Sequence, residues 1–232
     1  GSRRAITETL LRATPLIFTG LAVTVAFRAR LWNIGAEGQL YMGALAAVLV
    51  GTGMIHLPSP AMIPLLLMVA AFAGALTMLL PTLLKLRFQV DEVVTTLLLN
   101  FIILLFVQMM VEGPLQDPMG MGWPRSEPII DQGRLPQLVE RARLHLGFVI
   151  GLAAALGCWV IINRTVFGFK LRAVGANRSA DEFAGIDVVW VMVKVGLLSG
   201  ALAGLAGVSE VAGTRGDLTQ NLSPGFGYAG IV

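Results

Sequence analysis

Polar side chains recur at helical spacing in an otherwise apolar stretch of the chain. Glu92, Thr96, Asn100 and Gln108 are separated by four, four and eight residues, so a helix places them along one slowly turning stripe. A polar side chain is unfavourable against lipid at mid-depth of a membrane, and the stripe is expected to face a cavity or another helix. It either lines a pathway for a polar solute or forms interhelical hydrogen bonds.

A second polar segment lies between two apolar stretches. Asn33, Glu37 and Gln39 are interspersed there with Gly35 and Gly38. Glycine allows a helix to unwind near the membrane, and the polar side chains then supply hydrogen bonds to a ligand or to the exposed backbone. An ordinary interfacial turn with glycine-mediated helix packing accounts for the same residues.

A related arrangement recurs near the end of the sequence, between Asn221 and Tyr228. Each of the two segments begins with Asn, continues through glycines and reaches a Tyr-x-Gly sequence. Broken helices at corresponding places in two halves of a membrane protein point to the binding region of a transporter. A chance match of two short segments is the alternative.

A third polar segment covers residues 167–187. Asn177 is suited to cap a short helix, and Gly185 is suited to end it. A short amphipathic helix between spans suits a groove on a partner protein. A solvated loop at the membrane interface fits the same residues. The predicted helix and its apolar docking contacts comprise Arg178, Phe183, Ala184 and Ile186.

The composition predicts the elements that carry these residues. Apolar residues form 56% of the 232-residue chain and charged residues 13%, and the mean hydropathy is +0.77, whereas soluble domains carry roughly 25% charged residues. Residues 38–84, 93–111 and 144–162 contain no Asp, Glu, Lys or Arg. These runs are rich in Leu, Ala, Gly and Met and do not alternate, which favours helices over a barrel. The predicted fold class is all-α, a polytopic helical membrane protein.

Six transmembrane spans are predicted within one membrane domain over residues 1–232. The loop at 112–143 contains too many prolines for an uninterrupted helix, and 165–187 is a polar connection. Lys and Arg are equally numerous on the two sides, so the positive-inside rule leaves the orientation undecided, with a slight tilt of the short loops toward the cytoplasm. The spans are placed at 10–29, 33–51, 61–84, 92–111, 144–163 and 188–211.

Three motifs in order along the chain, at residues 33–39, 91–100 and 175–186, resemble the permease subunits of ATP-binding-cassette importers. More specifically, they resemble the nucleoside and simple-sugar branch, which belongs with the ribose-type and branched-chain amino-acid permeases. The third motif, with Gly175 and Asn177, is similar to the cytoplasmic coupling region of these subunits. Asp181 departs from it, since the family often has Ala there.

The resemblance implies a permease of about ten spans in the cell (inner) membrane that works as a pair, as a homodimer or a heterodimer. Its partners are cytoplasmic ATP-binding subunits, an extracytoplasmic solute-binding protein and membrane lipid. It places 85–92 and 165–187 in the cytoplasm and 112–143 outside. It also implies that spans of a complete permease are missing from this sequence.

Functions other than a transport subunit would need sequence features of their own. The sequence has no phosphate-binding Gly-x-x-x-x-Gly-Lys-Ser/Thr loop, so ATP hydrolysis is expected in a separate chain. An ion-coupled secondary transporter would use Glu37, Lys194 or Glu210 as coupling sites inside the membrane. All three lie near predicted span ends, where a charged side chain can extend to water, so their presence does not require ion coupling. His56 and His145 are far apart, so no metal site, cofactor or membrane enzyme is predicted. Net charge +3 is not taken as a sign of nucleic-acid binding, because the basic residues sit in loops between spans.

The stripe of amides and hydroxyls suits an uncharged polyhydroxylated solute. A nucleoside is expected first, a simple sugar second and a branched-chain amino acid third.

Overall fold

The computed structural model describes residues 2–53, 55, 57–138 and 143–232. His56 and residues 139–142 of the predicted outer loop lie outside this set. Within the described residues the regular elements are helices, and β-type pairing is limited to isolated bridges. The all-α prediction is confirmed.

Nine helices in chain order make up the described part of the fold. The eighth continues without a break into a π-helix over Ser209–Arg215. The helices are α1 Ser2–Arg28, α2 Ala36–Gly51, α3 Ser59–Phe88, α4 Glu92–Glu112, α5 Gly147–Arg164, α6 Val166–Ala176, α7 Arg178–Phe183, α8 Val188–Val208 and α9 Phe226–Ala229.

Among the described residues, five helices are long and apolar enough to cross a membrane. The second of the six predicted spans differs, because its helix begins at Ala36 and has 16 residues. At 1.5 Å per residue this helix is about 24 Å long, which is less than the roughly 30 Å of a hydrocarbon core. The residues before it, including Asn33, lie in an irregular segment. The long spans are Arg4–Arg28, Ser59–Phe88, Glu92–Glu112, Gly147–Arg164 and Val188–Arg215.

Local side-chain chemistry determines where several helices begin. Asp91 accepts a hydrogen bond from Val93 N at 2.8 Å and caps α4. Thr165 caps α6 through Gly168 N, and Asp187 caps α8 through Trp190 N. Gln89 ends α3 in the left-handed conformation, with φ 55°. This turn reverses the chain between α3 and α4 within three residues.

Helix α8 lies at the centre of the bundle and contacts α1, α2 and α3 through small residues. A methyl group added at Gly200 would lie 2.3 Å from the carbonyl oxygen of Gly74, and one added at Gly207 would lie 2.0 Å from that of Leu40. The helix backbones therefore touch. Such close approach is the usual source of packing energy between helices in lipid.

The segments that connect the helices lie at two opposite ends of the bundle. At the first, which we call the α6 end, Lys85 pairs with Glu92 and donates to the Arg30 carbonyl at 3.3 Å. The Gly175 backbone packs against the Arg28 carbonyl at the same end. The α6 end thus comprises residues 29–35, 85–92 and 165–187.

At the opposite end, which we call the loop end, residues 113–138 fold over the bundle with one short 3₁₀ turn, Asp131–Gly133. Backbone hydrogen bonds anchor this segment: Ile130 N donates to Gly51 O, Ser126 N to Leu218 O, and Leu135 N to Ala212 O, each at 2.9 Å. The predicted irregular, proline-rich loop is confirmed over the described residues.

The close packing of α8 leads to a stability prediction. Gly200→Ala places a methyl group against the Gly74 backbone, so we expect it to lower the free energy of unfolding by about 1–3 kcal/mol. The thermal unfolding temperature in detergent should fall accordingly. Gly157 of α5 is the matched control, because nothing lies within 4 Å of an added methyl group there. Equal unfolding temperatures for Gly200→Ala and Gly157→Ala would contradict the packing described.

Candidate translocation site

The side chain of Asn100 joins three segments that are distant in sequence. Asn100 is 1% exposed, in the middle of α4. Its Oδ1 accepts from Gly38 N at 2.9 Å, and its Nδ2 donates to Ile34 O at 3.0 Å and to the Tyr228 hydroxyl at 3.2 Å. Gly38 N is one of the amide groups that the first turn of a helix leaves unpaired. Asn100 therefore caps α2 from a neighbouring helix.

Asn33 and Gln39 form a reciprocal pair of buried amides. Asn33 Nδ2 donates to Gln39 Oε1, and Gln39 Nε2 donates back to Asn33 Oδ1, both at 2.9 Å. Asn33 also donates to Ser199 Oγ and accepts from Gly35 N, each at 2.9 Å. Ser199 in turn donates to the Ala22 carbonyl at 2.7 Å. The pair fixes the chain before α2 against α1 and α8.

Glu37 connects the two glycine-rich segments that share the Asn and Tyr-x-Gly pattern, the one before α2 and the one around α9. Its Oε2 accepts from Gly227 N at 2.6 Å, and the carboxylate is buried. A methyl group added at Gly227 would lie 2.2 Å from Glu37 N, so the two backbones are in direct contact. Ser223 Oγ accepts from Phe226 N at 2.9 Å and supports the same turn. The starts of α2 and α9 thus form one polar junction.

Three of the four residues of the predicted stripe on α4 lie on one buried face of the helix. Glu92, Thr96 and Asn100 are buried beside the start of α2, while Leu98 and Ile102 on the opposite side of α4 are exposed. Glu92 accepts from Trp32 N at 3.2 Å and pairs with Lys85. Thr96 donates to the Glu92 carbonyl at 2.6 Å. The stripe faces protein and not the lipid side, as expected.

Gln108 and Asn221 lie apart from this junction, toward the loop end. Gln108 is half-buried and bonds to Glu112 and to Gln220, each at 2.9 Å. Asn221 is exposed, and Tyr228 is partly exposed. A pathway role for these residues stays a prediction.

Sequence reasoning missed residues that hold the second glycine-rich segment. The Tyr41 hydroxyl donates to the Gln220 carbonyl at 2.8 Å and accepts from Ser223 N at 3.1 Å. Ser199 completes the Asn33 pair. Tyr41 belongs to the Tyr-x-Gly sequence shared by the two segments, and that position was the available signal.

A cleft of about 810 Å³ opens at the loop end, directly beside the polar junction. The π-helix forms one of its walls, and such π-helical turns are frequent at functional sites. Three acidic and three basic side chains of the described residues line it. The lining residues are Glu8, Leu11, Arg12, Gln137, Arg143, Glu210, Gly213, Thr214, Arg215, Asp217, Leu222, Pro224 and Phe226.

His145 supports the π-helix wall of the cleft from behind. The buried ring accepts from Gly147 N through Nδ1 at 3.1 Å and packs against Gly213. Burial lowers the pKa of His145 from 6.5 to about 4. The neutral ring is therefore favoured in the folded protein, and its contribution to stability is present above about pH 6.5 and is lost as pH falls toward 4.

The third predicted motif forms two short helices at the α6 end. Helix α7, Arg178–Phe183, confirms the predicted short helix, and Gly185 follows it in the left-handed region with φ 79°. Asn177 lies between α6 and α7. Phe183 is 98% exposed and Ala184 is exposed, whereas Ile186 packs against the core beside α8.

Comparison with known proteins identifies the family. A family model described as "Branched-chain amino acid transport system / permease component" matches residues 5–232. The chain belongs to this permease family. The permease is thus a multi-pass protein of the cell membrane, and the resemblance noted from its motifs is confirmed.

Several relatives are permeases of named transport systems. The glucose ABC transporter permease protein TsgB13 of Haloferax volcanii is 37% identical over 99% of this chain and 63% of its own length. The guanosine ABC transporter permease protein NupP of Bacillus subtilis is 41% identical over 97% of this chain and 65% of its own length. The nucleoside ABC transporter permease protein NupB of Lactococcus lactis is 31% identical over 100% of this chain and 66% of its own length. The chain thus spans a little under two thirds of the length of these relatives. No solved structure gives a significant match.

The junction at Asn100 leads to a graded prediction. Asn100→Leu leaves the buried groups Gly38 N and Ile34 O unpaired, which costs about 1–3 kcal/mol for each unsatisfied group. Tyr228→Phe removes only one bond from a partly exposed hydroxyl. We expect Asn100→Leu to lower both the unfolding temperature and the uptake rate markedly, and Tyr228→Phe to change them little. Equal effects of the two substitutions would contradict the capping role of Asn100.

Proposed function

We propose that this permease forms the translocation pathway of an ATP-binding-cassette importer for a nucleoside, with a simple sugar as the second candidate. The observation that carries the proposal is the polar junction in which Glu37 and Asn100 hold the starts of α2 and α9 together. Interrupted helices that meet inside a membrane bundle are the usual setting of a transporter binding region. The family and the named substrates of the relatives support this class of solute.

Six of the nine predicted pathway residues differ in this proposal according to their exposure. Asn33, Gln39 and Asn100 act as the frame of the pathway, because they hydrogen-bond to one another's segments and fix the irregular backbone before α2. Tyr228 and Gln108 are partly exposed and are available to a passing solute. Asn221 is exposed beside them. Neutral amides and hydroxyls suit an uncharged polyhydroxylated molecule.

The α6 end is the proposed cytoplasmic side, and α7 the proposed contact with the ATP-binding subunits. Phe183 projects into solvent from a short helix, as an anchor for a partner groove does. Gly175 packs against the Arg28 carbonyl, and Ile186 packs into the core, so both ends of this region are fastened to the bundle. Movement of α7 would therefore be transmitted to α1 and α8.

The loop end is then the proposed extracytoplasmic side, where a solute-binding protein would dock over residues 112–143. The exposed apolar side chains of α3 and α4, such as Phe72, Phe101 and Leu105, suit lipid or a second permease subunit. Energy input and solute delivery would thus act on opposite ends of the same bundle.

Uptake by vesicles that contain the complete transporter tests the proposal. The permease, its ATP-binding subunits and its binding protein are expected to take up radiolabelled guanosine when ATP is supplied, with D-glucose tested in parallel. Uptake of neither solute, or uptake driven by an ion gradient without ATP, would overturn the proposal.

Phe183→Asp in the same vesicles tests the coupling contact. A charge in the partner groove is expected to abolish co-purification of the ATP-binding subunits and to reduce uptake at least tenfold, without loss of the membrane fold. Met119→Asp is the matched control for co-purification, because Met119 is 88% exposed at the loop end, away from α7. Retention of the ATP-binding subunits by Phe183→Asp would remove α7 from the interface.

A further inference from the structure

The cleft at the loop end has the size and charge balance of a site for a small neutral solute. Its volume of about 810 Å³ lies within the usual range of small-molecule pockets, roughly 300–1,000 Å³. Among the described residues, its charged lining consists of Arg12, Arg143 and Arg215 together with Glu8, Glu210 and Asp217. Because these charges balance, the cleft does not favour a ligand that carries a large net charge of either sign.

Glu210 presents a carboxylate to the cleft from a side chain that is otherwise buried. Glu210 is 6% exposed and forms part of the cleft wall. Among the described residues, none donates a hydrogen bond to its carboxylate and no cation lies within 4.0 Å of it. The carboxylate oxygens are not enclosed by the protein and open onto the cleft, so a ligand that fills the cleft can supply the donor.

The chemistry of that donor follows from the carboxylate itself. Its two oxygens accept two hydrogen bonds side by side, and adjacent hydroxyl groups of a sugar ring supply two O–H donors at the matching spacing. Phe226, which is partly exposed, adds apolar surface in the same cleft for the face of a ring. Ribose in a nucleoside and a hexose both carry such a pair of hydroxyls.

We infer that Glu210 binds the vicinal hydroxyls of the solute in the loop-end cleft, before the solute reaches the junction at Glu37 and Asn100. The inference rests on the proposed function, because it places the entry site of the same pathway. The cleft lies next to that junction in the fold, since Pro224 and Phe226 line the cleft and Gly227 bonds to Glu37. The site would therefore select hydroxylated solutes at the first step of transport.

Uptake of guanosine and of 2′-deoxyguanosine by vesicles with the complete transporter measures this selection. The deoxynucleoside lacks the vicinal pair, so the unaltered permease is expected to prefer guanosine, and Glu210→Gln is expected to reduce that preference about tenfold. Glu8→Gln is the matched control, since Glu8 lines the same cleft but is an exposed carboxylate. An unchanged preference in Glu210→Gln would overturn the inference while leaving guanosine transport, and hence the proposed function, intact.

A labelling experiment keeps the inference testable if Glu210→Gln assembles poorly or nucleosides are not transported. Thr214→Cys, in a Cys158→Ser background, places a thiol in the cleft wall. Its reaction with a small water-soluble thiol reagent is expected to slow at least fivefold with guanosine or with D-glucose, but not with 2′-deoxyguanosine. Protection by guanosine alone assigns the hydroxyls to ribose, and protection by glucose alone assigns them to a hexose. If neither solute slows the reaction, the inference is wrong.

Discussion

The amide of Asn100 does for α2 what water does for the end of a helix in a soluble protein. The first turn of α2 leaves backbone N–H groups unpaired inside a membrane bundle, where each unsatisfied group costs about 1–3 kcal/mol. Asn100 accepts from one of these groups, Gly38 N, and donates to the Ile34 carbonyl. Glu37 does the same for Gly227 at the start of α9. Helices α2 and α9 can begin inside the bundle because these side chains accept hydrogen bonds from backbone N–H groups of their first turns.

This arrangement depends on close packing elsewhere in the bundle. The glycines of α8 bring its backbone against α2 and α3, which places Ser199 within 2.9 Å of Asn33. Small residues therefore position the polar frame, and the frame positions the irregular segments. The two ends of the bundle remain free for different tasks: α7 with exposed Phe183 at the α6 end, and the charged cleft at the loop end.

Sequence reasoning reached the features that depend on periodicity and composition. The uncharged runs predicted the long helices, and the four-residue spacing placed Glu92, Thr96 and Asn100 on one buried face. The glycines at 35 and 38 suggested an unwound backbone there, but the predicted span still began at residue 33 and not at Ala36, because the apolar run does not show which helices supply the bonds to that backbone. The cleft was missed for a similar reason. Its walls come from α1, the π-helix and two loops, and no local pattern links Glu8 to Glu210 or Phe226.

Hydrogen–deuterium exchange of the purified permease in detergent tests the central claim, that Asn100 holds the start of α2, most directly. In the unaltered protein the amides of residues 35–39 are expected to exchange slowly, and in Asn100→Ala those amides should exchange at least tenfold faster. The amides of residues 10–22 in α1 should keep their original rates. Unchanged slow exchange at residues 35–39 in Asn100→Ala would show that the start of α2 is held by something other than this side chain.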